Sequence, residues 1–159
     1  MGVFSWLENT QIATAIREST WLFPTIETVH VFAIVLVVGT VMIVDLRLLH
    51  VSSRDRSVTE LTREVLPWTW AAFALAALSG GLLFTSSALK YVNNLPFRFK
   101  MALLLLAGVN MLVFHRLTSR SIAGWDRSVP PTQARVAGGL SLLLWFGVIS
   151  LGRWIGFTT

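Results

Sequence analysis

Four long apolar segments dominate this sequence of 159 residues. They cover about residues 22–49, 68–89, 97–115 and 136–157. A transmembrane helix needs about 20 mainly apolar residues to cross ~30 Å of hydrocarbon, and at this length only a helix satisfies its own backbone hydrogen bonds in lipid. The sequence therefore predicts an all-α fold, a four-helix transmembrane bundle that forms one membrane domain over residues 1–159.

The charge content also indicates lipid as the main solvent. Only 13% of the residues are charged and 54% are apolar, whereas a soluble domain usually carries about 25% charged residues. The net charge is +5. Because the arginines lie in short loops between apolar runs, the membrane surface suits this charge better than nucleic acid. The sequence contains no cysteine, which excludes disulfides, thiolate metal sites and cysteine nucleophiles.

Residues 3–18, ahead of the first apolar segment, predict an amphipathic helix lying at the membrane interface. Ser5 and Glu8 have the spacing of a capping box. We expect no secretory signal peptide here, because no basic stretch and no continuous apolar run precede Glu8. The apolar residues that roughly share one face are Val3, Phe4, Leu7, Ile12 and Ile16.

Basic residues flanking the apolar segments predict an orientation. Eight arginines lie around the first and third loops, and five basic residues lie on the other side. Since cytoplasmic loops are enriched in Lys and Arg, both termini are expected in the periplasm. The first group is Arg47, Arg54, Arg56, Arg63, Arg116, Arg120, Arg127 and Arg135; the second is Arg17, Lys90, Arg98, Lys100 and Arg153.

Ionisable side chains within the apolar segments are the candidate functional residues, because a charge at the bilayer centre costs about 3 kcal/mol or more. At about 100° per residue, Glu27, His30 and Asp45 fall on one stripe of the first helix. Lys100 and His115 similarly share a stripe of the third helix. The sequence thus predicts two facing polar stripes inside the bundle.

Depth along the helices divides these residues into two predicted clusters. Counting ~1.5 Å per residue, His30 lies roughly 10 Å outward from the midplane and His115 roughly 10 Å inward. In the inner cluster, His115 could simply be a hydrogen-bond partner of Asp45. The predicted outer cluster contains Glu27, His30, Lys100, Met101 and Arg153, and the inner cluster contains Asp45 and His115.

The Glu27-x-x-His30 spacing places a carboxylate and an imidazole on one face, a pattern that recurs in metal sites of helix bundles. Imidazole also serves as a ligand of haem or copper and as a proton carrier. The structural alternatives remain open: Glu27 could pair with Lys100 or Arg153, and His30 could be an ordinary core histidine.

Small residues on the fourth segment permit close helix packing in lipid. They favour packing within the bundle, but they also leave room for a homo-oligomer or for docking as a subunit of a larger membrane complex. The residues concerned are Gly138, Ser141, Gly152 and Gly156.

Three stretches carry a family resemblance. They are Trp21-Leu-Phe-Pro24 with Glu27 and His30, Asp45-Leu-Arg47-Leu-Leu, and Phe97 with Lys100 and His115-Arg116. These stretches resemble a group of uncharacterised bacterial four-helix inner-membrane proteins, which is distantly similar to the CopD-like copper-resistance membrane proteins and to small b-type cytochromes. The resemblance covers about residues 15–157. It implies a multi-pass protein of the bacterial inner membrane, with haem b or, as a weaker alternative, copper.

The chain departs from the pattern of a two-haem cytochrome, which needs four histidines paired at equal depth. This sequence has three histidines, and His30 and His115 differ by roughly 20 Å in predicted depth. They cannot clamp one haem within one protomer. His30 could instead pair with Met101, or the His30 residues of two protomers could share one haem across a twofold axis.

Three functions fit these residues. The preferred one is a redox-associated membrane subunit that binds haem b near His30, with Met101 and Glu27 as further cofactor-binding candidates, and that transfers electrons for a partner. A copper site would use His30 and Glu27. The alternatives are an accessory or assembly subunit without a cofactor and a proton or metal-ion transporter. The sequence lacks HExxH, a Gly-rich phosphate loop and GxSxG, so no catalytic residue is assigned.

Overall fold

The computed structural model describes residues 2–158, except for the side chains of residues 117–121. Across that range the chain is helical and contains no strand, which confirms the predicted all-α class. The seven α-helices are α1 (Val3–Glu8), α2 (Gln11–Glu18), α3 (Leu22–Leu48), α4 (Val58–Ser86), α5 (Ala88–Asn93), α6 (Leu95–Val113) and α7 (Thr132–Thr158). A π-helical turn over Phe114–Thr118 and a 3₁₀ segment over Ser119–Gly124 follow α6.

Four of these helices are long and apolar enough to cross a membrane. They are α3 (Leu22–Leu48), α4 (Val58–Ser86), α6 with the start of the π-helical turn that follows it (Leu95–Arg116), and α7 (Thr132–Thr158). Large apolar side chains cover their outer surfaces; Phe146 is 73% exposed and Leu105 is 71% exposed. Such a surface needs lipid rather than water around it, so the chain is a multi-pass membrane protein.

The bundle is built around α3. Helix α3 packs along α4 on one side and α7 on the other, and α6 packs mainly against α7. A Cβ added at Gly138 would lie 3.1 Å from the backbone oxygen of Asp45, which shows how closely α7 approaches α3. A Cβ at Gly156 would have no neighbour within 4 Å. The small-residue stripe of α7 therefore serves packing within the chain at Gly138 but not at Gly156.

Helix α4 begins at Val58 rather than at the predicted Trp68. The Ser57 hydroxyl accepts a hydrogen bond from the backbone N–H of Glu60 at 3.0 Å, which is an N-cap. Pro67 lies inside the helix, where it removes the bond to one carbonyl without ending the helix. The cap at Ser57, and not the proline, was the start signal.

The N-terminal region forms two short helices in place of the single predicted helix over residues 3–18. The Thr10 hydroxyl accepts from the backbone N–H of Ala13 at 3.3 Å and begins α2. The predicted capping box of Ser5 and Glu8 is wrong. The Ser5 hydroxyl donates to the Gly2 carbonyl at 2.7 Å, and Glu8 accepts from the N–H of Leu89 at the start of α5, at 2.9 Å.

These two short helices are fastened to the bundle. Ala13 and Ile16 of α2 are buried, and α2 contacts both α3 and α4. The Arg17 guanidinium donates to the carbonyl of Ser86, at the end of α4, at 3.3 Å. The N-terminal region thus covers the corner where α4 turns into α5.

At the opposite end of the bundle, a group that we call the loop clamp joins the first and third loops. Arg47 is fully buried. It donates to the carbonyls of Arg56 at 2.8 Å, Asp126 at 3.0 Å and Ser128 at 3.3 Å. The Asp126 carboxylate in turn accepts from the N–H of Thr59 at 2.8 Å. Arg47 therefore joins the two loops through hydrogen bonds, whereas the sequence analysis counted it only as a basic residue near the first loop.

Candidate functional site around His30

The imidazole of His30 lies between α3 and α4. Its Nδ1 is 3.0 Å from the Ser79 hydroxyl oxygen, and that hydroxyl is 2.6 Å from the Leu75 carbonyl. A serine has a single hydroxyl proton. Because Ser79 donates that proton to the carbonyl, its oxygen accepts from Nδ1–H of His30. The Ala76 carbonyl, 3.3 Å from the same hydroxyl, is a further acceptor for the imidazole.

This arrangement favours the tautomer of His30 that carries its proton on Nδ1. With its proton on Nδ1, a neutral imidazole carries a lone pair on Nε2. Within the described residues, Nε2 has no hydrogen-bond partner. A side chain held in this way can act as a ligand through Nε2, since a hydrogen bond at the other nitrogen orients the ring and raises its basicity.

Gly80 makes room for the ring. A Cβ added at this position would lie 2.8 Å from Cε1 and 3.3 Å from Nδ1 of His30. The neighbouring Gly81 has no atom within 4 Å of its added Cβ. Glycine at position 80 is therefore what allows the imidazole to rest against the backbone of α4 while it reaches Ser79.

Lys100 of α6 is a charged residue that interacts electrostatically with His30. Its Nζ lies 3.7 Å from where a Cβ of Gly152 would be, so the ammonium lies beside α7. The described part of the chain gives Lys100 neither a hydrogen bond nor an ion pair; the ion pairs found there are those of Arg56.

The other members of the predicted outer cluster do not join His30 and Lys100. Glu27 is exposed, and its charge acts on Tyr91 of α5. Met101 is 49% exposed, and the Arg153 guanidinium lies 5.0 Å from the ring centre of Phe157. No ion pair between Glu27 and either Lys100 or Arg153 occurs among the described residues.

The predicted inner cluster takes a different form. Asp45 is only 5% exposed, and Ser141 of α7 is the polar side chain that interacts with its carboxylate. Its Oδ2 is buried without a partner among the described residues. His115 lies on the π-helical turn after α6 and has an exposed side chain. Ser141, which the sequence suggested only as a small packing residue, is thus the partner that the structure gives to Asp45.

Both partners missed by the sequence reasoning are serines. Ser79 and Ser141 carry no charge, so the search for ionisable groups did not select them. A usable signal was present, because each lies next to or near a glycine on an apolar helix, at Gly80 and Gly138. A small residue allows close approach, and a neighbouring hydroxyl can then reach across to the adjacent helix.

The donor set decides which groups this site can hold. Across the described residues, no group of three or more His, Cys, Asp or Glu side chains could hold a metal ion. A haem iron needs only an axial nitrogen from this chain, and Nε2 of His30 fits that requirement.

Comparison with known proteins gives a family. No curated protein and no solved structure matches the chain. A family model described as "Family of unknown function (DUF6644)" matches residues 3–158. That match covers nearly the whole chain, which therefore belongs to this family of unknown function.

Proposed function

We propose that this protein is a redox-associated membrane subunit that binds haem b through Nε2 of His30 and transfers electrons for a partner protein. One observation carries the proposal: Ser79 holds Nδ1–H of His30, which leaves the Nε2 lone pair available for iron. When bound, haem supplies one-electron chemistry. The resemblance to small b-type cytochromes supports the same cofactor.

Lys100 adds an electrostatic reason. An ammonium at membrane depth is costly unless it has a counter-charge, and among the described residues Lys100 has no acidic partner. A haem carries two propionates, which are carboxylates. We assign Lys100 to one of them, in a charge-assisted hydrogen bond.

The second axial ligand has two candidate sources. Met101 directly follows Lys100 in α6 and is half-exposed, so a modest rotation of its flexible side chain could bring its sulfur inward. Alternatively, His30 of the partner subunit could supply an imidazole in a homo-oligomer. Replacing Met101 by Ala should change the haem spectrum only under the first arrangement.

The proposed location is the bacterial inner membrane, with both termini in the periplasm. The family resemblance supports a location in the inner membrane, and the arginine-rich first and third loops support periplasmic termini. Because the chain has no cysteine, single cysteines at Asp55 and at Glu18 can be tested with an impermeant maleimide. Labelling of intact cells at Asp55 but not at Glu18 would refute the orientation.

The haem proposal is tested by an absorption spectrum of protein purified in mild detergent. We expect a Soret band and stoichiometric iron, both lost in His30→Ala and retained in the matched control His50→Ala. Ser79→Ala should keep haem but weaken its binding, because the ring loses its hydrogen-bonded orientation; loss on the order of 10-fold or more is usual for such supporting residues. A protein without Soret band or iron, or a His30→Ala protein that still binds haem, would refute the proposal. In the first case, an accessory subunit would be the better hypothesis.

A further inference from the structure

A groove on the lipid-facing side of the bundle runs between α3 and α7. Its volume is about 410 Å³, within the range of ~300–1,000 Å³ that is usual for ligand sites. Its walls are apolar except at one residue, Asp45. The lining residues include Val38, Val41, Met42, Asp45, Leu142 and Trp145.

Asp45 makes this groove more than an apolar surface. The Ser141 side chain interacts with the carboxylate, but Oδ2 is buried and lacks a partner within the described chain. A buried carboxylate oxygen without a hydrogen-bond donor is costly, and intramembrane acids usually have a partner. Because Asp45 lines the groove, a molecule that enters from the lipid can supply the missing donor.

The groove has a polar end and an apolar end. On α3 it runs from Val38 to Asp45, roughly 10 Å along the helix axis. Asp45 is close to the end of α3 at Leu48, so the acid lies near the membrane surface and Val38 lies nearer the midplane. An amphiphile in that leaflet has the same orientation, with its head at the surface and its chain pointing inward.

We propose that this groove binds an amphiphile with a primary ammonium head and one aliphatic chain, with the ammonium donating to Asp45. Charge complementarity favours an ammonium over a neutral hydroxyl and excludes an anionic head. The site is independent of the haem proposal, because Asp45 follows His30 by 15 residues on α3, or ~22 Å.

The proposal can be tested with three probes of equal chain length: dodecylamine, dodecanol and laurate. Binding of each to the purified full-length protein is measured by native mass spectrometry from mild detergent. We expect dodecylamine to bind at least ~10-fold more tightly than dodecanol, which corresponds to one charge-assisted contact of about 1.4 kcal/mol. This preference should disappear in Asp45→Asn and persist in Asp55→Asn, which removes an exposed loop acid. Equal binding of the amine and the alcohol, or an unchanged preference in Asp45→Asn, would overturn the proposal.

A second variant covers the case in which Asp45→Asn does not fold. Val41→Phe fills the groove without changing the acid. It should abolish binding of dodecylamine while the helical circular dichroism and the elution volume stay unchanged. Amine binding that survives in Val41→Phe would place the ligand elsewhere and overturn the proposal.

Discussion

The contact between Gly80 and His30 gives a sharp test of how the site is built. In Gly80→Ala, the new methyl group would lie 2.8 Å from Cε1 of His30, a distance that real side chains do not adopt without movement. The ring must shift by several tenths of an ångström, and its 3.0 Å bond to Ser79 would lengthen. Overpacking of this kind costs about 1–3 kcal/mol.

The matched control is the next residue, Gly81→Ala, whose methyl group would meet no atom within 4 Å. Both substitutions replace glycine by alanine in α4, so the gain in helix propensity of about 1 kcal/mol is common to both and cancels in the comparison. The expected difference in the free energy of unfolding is therefore the overpacking cost alone, about 1–3 kcal/mol in favour of Gly81→Ala.

Unfolding in mild detergent, followed by circular dichroism, measures this difference. A double-mutant cycle with His30→Ala then identifies its source, because removing the imidazole should remove the penalty at Gly80. Equal stability of the two alanine variants would refute the placement of the imidazole against α4. If the loss of stability in Gly80→Ala persists without His30, the methyl group clashes with another residue. The position of the imidazole, from which its tautomer was inferred, would then be wrong.

Two further predictions concern the two ends of the bundle. Arg47→Ala should destabilise the protein by at least about 1.5–3 kcal/mol, because it removes the charged donor of the loop clamp. Arg54→Ala, at an exposed side chain, should cost under ~1 kcal/mol. Similar losses in chemical unfolding would contradict the clamp. Burial, and secondarily the charge of Glu27, raises the pKa of Tyr91 above its usual ~10. The folded state thus favours the neutral phenol. The resulting contribution to the free energy of unfolding is fully present below pH ~10 and is lost as the pH rises through the raised pKa. Tyr91 is the only tyrosine in the sequence, so a pH titration followed by tyrosinate absorbance reports on it directly. The midpoint of this titration should lie above the usual value and should fall in Glu27→Gln. A midpoint at the usual value would refute the burial of Tyr91.

The sequence predicted what the bilayer imposes. Four apolar runs could form only spanning helices, and the third of them, predicted from about Phe97, begins at Leu95 in the structure. The predicted start of α4 was wrong, because the ten residues between Val58 and Trp68 are too polar to be recognised as part of a membrane span. Ser57 and Glu60 nevertheless have the spacing of a helix start. Local capping signals were informative, but the apolar run took precedence in the prediction.

Side-chain partners were harder to predict for a different reason. A stripe on one helix defines a face, but the contact depends on how the neighbouring helix is rotated and how closely it approaches. Glu27 and His30 share a stripe, yet the charge of Glu27 acts on Tyr91 and His30 contacts Ser79. Only the packed structure distinguishes these two outcomes.

The two membrane-embedded sites follow one physical rule. In each, a glycine lets a neighbouring helix approach, and a serine on that helix interacts with an ionisable side chain: Ser79 with His30, and Ser141 with Asp45. A neutral hydroxyl orients such a group without supplying a counter-charge, so Nε2 of the imidazole and Oδ2 of the carboxylate keep their capacity to bind. Had Asp45 been purely structural, an ion pair with a basic residue would have satisfied its carboxylate more completely. The half-satisfied state is what makes both residues candidates for ligand binding.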